Sequence, residues 1–336
     1  MPNDQVVSPW VDTVDSLPRP AALIDRLQYG HILTAVRETP WALRPEKLAT
    51  ILDLLRFRSE GGRLTAEEIQ QRIGAARQQV PRPSAGSVQV IPIFGVISQR
   101  LSMMSEMSGG TSTERIAAAF SQAVNDPAVG SIVLQIDSPG GGVYGVAELS
   151  DQIRAARSSK PIVAVADAQA ASAAYWIASA ADEISVTPSG EVGSIGVWTA
   201  HEDWSQALAA EGIAVSLISA GKYKVEGNPY EPLGEDARAA IQSRVDDYYK
   251  LFTGAVAKGR GVSVSDVRAG FGEGRMVGAQ EAVKLGMADR VETMDQAVSR
   301  LSGNGKRRSG TGAEDQAGQI AADLDLRRRR NRLLSH

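Results

Sequence analysis

Apolar positions change their rhythm partway along this chain of 336 residues. Early on they recur at helical spacing. In PEKLATILDLLRF, Leu48, Ile51, Leu52 and Leu55 fall on one face of a helix. Thr65 and Glu68 make a capping-box pattern that opens TAEEIQQRIGAARQQ. Residues 19–80 therefore read as helices, after a flexible lead over 1–18, and 81–87, opening PRPSAG, reads as a linker. The texture then changes. VQVIPIFGVI (88–97) is a β-branched apolar run and predicts a strand. Thr111 and Glu114 predict a second capped helix, ERIAAAFSQAVN. GSIVLQID (130–137) predicts a strand, SPGGGVYG a turn, and a helix follows to about Ala156. KPIVAVAD (160–167) predicts a third strand, which runs into the alanine-rich helix QAASAAYWIASAADEI (169–184). DEISVTP, SIGVW and AVSLISAG (214–221) predict further strands, and an amphipathic helix is predicted over Glu235–Lys258. Such alternation implies an α/β domain with largely parallel strands, spanning 88–302.

Composition narrows the chemistry. There are no cysteines, which excludes a disulfide framework, a thiol nucleophile and cysteine-ligated metal. Net charge is −3, so no global argument for nucleic acid or a membrane surface exists. No apolar run approaches a membrane span, and MPNDQVVSPWVDTVDS lacks the basic start and apolar core of a secretory signal. A cytoplasmic protein is expected. The tail from Gly303 to His336 is Gly-rich and polar, then basic, and reads as disordered. It carries eight Lys or Arg against four acidic residues, so it is locally +4 and the remainder −7. It is either a solvated charge run or a docking segment for an acidic partner or for nucleic acid.

Two stretches could carry chemistry. DSPGGG (137–142) leaves a strand, and its glycines expose backbone N–H groups. No Gly-Lys-Ser/Thr follows, so it is not a phosphate loop, and GGGVYG (140–145) meets the bare GxGxxG spacing, a weak signal for a dinucleotide. Another use is an oxyanion hole, against a plain strand-to-helix turn. The second stretch holds Ser172 among alanines. Serine there is commonly plain packing. Yet both stretches follow parallel strands at their C-terminal ends, where α/β sheets build sites. Ser172 would open a helix, and the Ala173 N–H could be an oxyanion donor. A serine nucleophile needs a base. The candidates are His201, in GVWTAHEDW, and Lys222 or Lys224, in SAGKYKVEGNPYEPL; His31 and His336 lie in the N-terminal helical region and at the last residue. A lysine serves only if its pKa is lowered toward neutrality.

The order DSPGG, AASAAYWIASAAD, GSIGV, GKYK…EP, MVGAQEAVKLGMAD resembles the signal peptide peptidase A family of serine peptidases over about 88–295. That resemblance implies a ClpP/crotonase fold, a spiral of β-β-α units, with a helical N-terminal extension here. It places the nucleophile on Ser172, the base on Lys224, partly buried and neutral, and the oxyanion donors on Gly141, Gly140 and the N–H of Ala173. Ser194 of GSIG matches a serine that orients the lysine. Family members have two glycines where Ala173 and Ala174 stand here. The histidine of Ser-His-Asp relatives would fall on GSIGV, which has none; His201 lies a few residues beyond, so it is set aside. The segment HILTAVRETPWALRPEKLATILDLLRFRSEGGRLTAEE resembles the lead of phage capsid-assembly (prohead) proteases. The implied partners are scaffold or head proteins and a homo-oligomeric ring, with the tail contacting capsid, portal or scaffold. The setting is host cytoplasm and prohead, with no cofactor, metal, membrane or specific nucleic acid. The methionines of LSMMSEMSGG (101–110) are candidates to line the groove, against a plain mobile loop. Three alternatives stand beside this: a soluble bacterial signal-peptide-peptidase-like protease, a crotonase-type acyl-CoA enzyme with a glutamate acid-base, and a non-catalytic capsid scaffold.

Overall fold

The computed structural model describes residues 39–45, 48, 87–100 and 110–303. The expected 1–18 lead, most of the N-terminal helices, the Thr65–Glu68 cap, the methionine loop over 101–109, His31 and the basic tail lie outside the described residues. Among those residues the chain alternates strand and helix about two sheets, the α/β class expected.

The main sheet is built from the apolar runs. Strands β2 (Ser87–Phe94), β5 (Val129–Ser138) and β7 (Ile162–Ala171) are parallel neighbours. β5 and β7 are near-continuous apolar runs, as strands covered on both faces must be. β7 then changes partner along its length. Its first half pairs with β8 (Glu183–Val186) and its last three residues with β9 (Glu191–Gly193). β10 (Met276–Gly278) adds antiparallel to β9, and β11 (Arg290–Val291) adds parallel to β8.

The second sheet has four short strands in the order β1 (Trp41–Leu43), β6 (Gly140–Gly142), β3 (Ile97–Ser98), β4 (Thr111–Ser112). The chain crosses from the first sheet to this one twice, at Gly95–Val96 and at Pro139. After each crossing comes a helix: α1 (Thr113–Asn125) and α2 (Val146–Ala156). The result is a repeated strand–strand–helix unit. Gly95 has φ 66°, which lets the first crossing turn sharply.

Two helices frame the third unit. α3 (Ala173–Ala178) follows β7, and α5 (Glu235–Arg260) packs on it; the short α4 (Ser205–Ala210) lies between them in sequence. Trp176 of α3 stacks on Phe252 of α5, with centroids 4.8 Å apart and planes 8° apart. Beyond α5, Ser263 caps α6 (Val264–Gly270) with a reciprocal capping box to Asp266. α7 (Ala279–Lys284) and α8 (Met294–Leu301) complete the fold. The buried Arg260 guanidinium pairs with both oxygens of Asp289, at 2.8 and 3.0 Å, and fastens the end of α5 to the loop before β11.

Several local expectations are corrected. Within 19–80, residues Trp41–Leu43 form a strand, not a helix. α1 is capped by Ser112, whose side chain accepts from the Arg115 N–H; Thr111 is already in β4. Gly140–Gly142 is a strand in the middle of a sheet rather than a turn. SIGVW forms no strand beyond a single bridge at Trp198, because the strand sits earlier, at 191–193. AVSLISAG is in no strand.

Candidate active site

Ser172 occupies the junction between β7 and α3. Its backbone has φ 55° and ψ −118°, a left-handed conformation that costs a non-glycine residue about 1–3 kcal/mol. The surroundings force it. The Ser172 N–H donates to the Gly193 carbonyl at 2.7 Å, and the Ser172 carbonyl accepts from the Trp176 N–H at 2.9 Å. Its Oγ donates to the Gly196 carbonyl at 3.4 Å, and the residue is 1% exposed.

α3 is then held from beyond its far end. Arg157 donates to the carbonyls of Ser179 and Ala180, at 2.9 and 2.7 Å, and also to that of Ala181. A Cβ on Gly259 would fall 2.0 Å from the Ser179 oxygen, so α5 meets this end backbone to backbone. Tyr175 donates its hydroxyl to the Met287 carbonyl at 2.9 Å, and burial holds its phenol well above the usual tyrosine range. A serine that merely filled space in this helix would have helical φ and ψ. Ser172 precedes the helix in a strained turn, the geometry that presents a nucleophile.

The second serine shares this geometry. β9 runs parallel to the end of β7, with Ala171 opposite Gly193. Ser172 and Ser194 therefore leave neighbouring strands side by side. Ser194 also has positive φ, 54°, and its N–H donates to the Arg275 carbonyl at 2.8 Å.

The glycine strand lies against Ser172. Gly140 has φ 97°, and a Cβ there would sit 3.0 Å from the Ser172 Cβ. The Gly140 N–H donates to Ser138 Oγ at 3.2 Å, and that hydroxyl donates to the Gly95 carbonyl at 2.7 Å. A Cβ on Gly141 would fall 1.8 Å from the Ile97 oxygen, so glycine is required there by the neighbouring strand. Ala173 opens α3, and its N–H has no acceptor within the helix. Residues 140, 141 and 173 are all buried around Ser172.

The candidate bases are placed differently. Lys224 is exposed, correcting the expectation of partial burial within one chain. Its N–H donates to the Gly221 carbonyl at 3.1 Å, and among the described residues its ammonium has no hydrogen bond or ion pair. Lys222 lies over the Tyr223 ring, with Nζ 4.6 Å from the centroid. His201 is turned to Asn228, Nε2 lying 3.1 Å from that carbonyl oxygen. It lines a cavity of about 490 Å³ with Trp198, Arg238 and Ile241, whose lining does not include Ser172. The sequence reading missed Trp41–Leu43, which pairs with the glycine strand, and Trp198, which bridges Trp41 on the other edge of β1. Two tryptophans paired across 157 positions of sequence leave no motif to find.

Residues 154–306 match the model of peptidase family S49. This chain carries a peptidase family S49 domain. Ser172, Ser194 and Lys224 fall inside the matched span, and the glycine strand lies before it. Capsid assembly protease C of Escherichia phage lambda is 34% identical over 260 residues, covering 72% of this chain and 59% of that protein. Head-tail preconnector protein GP5 of Enterobacteria phage P21 is 32% identical over 266 residues, covering 79% of this chain and 53% of its own length. A putative signal peptide peptidase SppA of Enterococcus faecium is 30% identical over 177 residues, 52% of this chain and 51% of the relative. The chain thus spans less than two thirds of the phage relatives it matches. The resemblance read from the motifs is borne out, and so is the α/β class that went with it.

Proposed function

We propose that this S49 domain is a serine endopeptidase of phage head assembly, with Ser172 as nucleophile and Lys224 as base. The observation that carries the reading is the buried, strained turn at Ser172 beside Gly140. The phage relatives carry capsid-assembly and head-tail names, which supports scaffold or other head proteins as substrates and the prohead as the setting. Among the described residues no helix is long and apolar enough to cross a membrane.

In this reading a neutral Lys224 removes the Ser172 proton as Oγ attacks the peptide carbonyl. The N–H groups of Gly141 and Ala173, with Gly140 beside them, receive the charge on the carbonyl oxygen. Lys224 returns the proton to the leaving amine, and water releases the acyl group by the same route. Ser194, leaving the adjacent strand, orients the lysine.

Lys224 comes to Ser172 from a second copy of the chain. It stands on a segment, 211–234, without strand or helix, in which Ile213, Val215, Leu217 and Ile218 are exposed, Ile218 at 99%. An apolar run of that kind on a folded protein marks a contact surface. A serine whose hydroxyl meets the Gly196 carbonyl and no base among the described residues, together with a lysine on an exposed arm, supports a homo-oligomer whose sites form on assembly. The basic tail is the remaining docking element. Deleting residues from Gly303 onward should abolish incorporation into proheads while sparing peptidase activity.

The decisive experiment pairs the full chain with its Ser172→Ala variant, each incubated with an unfolded protein and followed by mass spectrometry. Fragments from the parent alone are expected, with activity lost by about 10³-fold or more. Equal cleavage by both would return Ser172 to helix packing.

A further inference from the structure

The glycine strand beside Ser172 already holds a peptide. β1 runs antiparallel along β6, with Trp41 opposite Gly142, Ala42 opposite Gly141 and Leu43 opposite Gly140. The pairing extends one residue at each end. The Val143 N–H donates to the Pro40 carbonyl at 3.4 Å, and the Arg44 N–H donates to the Pro139 carbonyl at 3.2 Å.

The other edge of β1 is engaged as well. Trp41 and Trp198 exchange two backbone hydrogen bonds, at 2.8 and 3.0 Å. The Trp198 indole N–H donates to the Leu43 carbonyl at 2.9 Å. Residues 40–44 are therefore held extended between two backbone edges. One edge ends at Gly140. The other begins just after Gly196, whose carbonyl receives the Ser172 hydroxyl.

Both edges converge on the nucleophile. A Cβ on Gly140 would lie 2.2 Å from the Ala42 oxygen and 3.0 Å from the Ser172 Cβ. The Ala42 carbonyl and the nucleophile thus face the same glycine. Ala42 and Leu43 are 0% and 2% exposed. Strand addition of this kind is how extended peptides are bound: the main chain supplies the hydrogen bonds, and alternate side chains enter the pockets.

We propose that residues 40–44 are an internal occupant of the peptide groove, which a substrate must displace before it can lie against Gly140–Gly142. The inference rests on the peptidase reading above and names the form of its substrate. That substrate is an extended segment, antiparallel to the glycine strand, with a small side chain where the fully buried Ala42 methyl now sits. The N-terminal region is then a brake on the site as well as a model of what the site accepts.

The test uses the full chain carrying Ser172→Ala, so that nothing is cut, and a fluorescent peptide, TPWALRP, copied from residues 39–45. A second chain adds Trp41→Pro, which removes the N–H that donates to Trp198. Peptide affinity should rise by at least about tenfold in the second chain. In the first chain, saturating peptide should speed hydrogen exchange over residues 40–44 while residues 140–143 stay protected. That exchange measurement stands by itself if Trp41→Pro fails to fold. Equal affinity in two folded chains, no binding to either, or binding that leaves 40–44 protected would each overturn the proposal. Both readouts are made without the nucleophile. Their failure leaves the cleavage assay to judge the peptidase reading, and absence of cleavage leaves them interpretable. Cutting of the Ser172-containing chain within 40–44 would show the occupant to be a substrate and would support the proposal.

Discussion

Ser172 and Lys224 stand on opposite kinds of ground. The serine is buried, strained and held by hydrogen bonds to Gly193, Trp176 and Gly196. Behind it α3 is stacked on Phe252 and bound beyond its end by Arg157. The lysine is exposed on a segment with neither strand nor helix, among apolar side chains that face solvent. The difference teaches where each half of a dyad is encoded. In the proposed dyad the nucleophile would be positioned by folding of one chain and the base by association of two, so that activity would follow assembly.

The largest effect that tests this contrast is on turnover. Lys224→Ala should lower kcat by about 10²–10⁴-fold, and Lys222→Ala should change it little. Mixing the inactive Ser172→Ala and Lys224→Ala proteins under conditions that exchange subunits should restore measurable cleavage. Complete silence of the mixture, with exchange verified, would return the lysine to its own chain. The activity should also climb toward alkaline pH, because the base works only when neutral.

Stability should divide the two regions next. Trp176→Ala removes the stack that holds α3 and should cost about 3–5 kcal/mol in denaturant unfolding. Ile218→Ser, at a fully exposed position, should leave the fold within about 0.5 kcal/mol and instead weaken association, read by sedimentation. A loss of fold stability at Ile218 would mean that the arm is packed in the single chain.

A smaller effect tests the strain. Ser172→Gly should abolish activity yet raise stability by about 1 kcal/mol, since glycine adopts the positive φ freely. Unchanged or lower stability would show that the turn is relaxed.

The smallest effect concerns acid. Burial pushes the Glu292 carboxyl upward, but hydrogen bonds from Arg300 and Ser185 outweigh it and hold the group below its ordinary value of 4.5. Its contribution to folding is therefore complete above that ordinary value and is lost as pH falls through the lowered one. Arg300→Ala should flatten that acid limb in thermal melts taken across the range, with no change in the alkaline activity profile.

Much of the sheet was legible because its strands are long and apolar. The run 130–137 became Val129–Ser138, and 160–167 became the first part of Ile162–Ala171. The predicted helix at 235–258 became Glu235–Arg260, where αL Gly261 ends it. The glycine strand was not legible. Three glycines have no side-chain alternation to read, and their pairing partners at 41–43 and 97 are far away in sequence. AVSLISAG has a strand's composition, but within one chain it joins no sheet edge. Ser172 was legible through motif order, whereas its strained backbone was not. Conformation at a junction follows from the partners on both sides, here Gly193 and Phe252.

α5 joins the two regions. Its 26 residues span about 39 Å at 1.5 Å each. Most of its buried residues, from Phe252 to Gly259, lie at the end that anchors α3, and the lysine arm enters at the other end through Gly234. The helix is a ruler. One end is fixed beside the chain's own Ser172, and in the proposed assembly the other would set how far away that chain can serve a neighbour's. A turn added or removed would shift the arm by about 5.4 Å. If the proposed ring forms, the spacing between its copies would thereby be counted in helical turns.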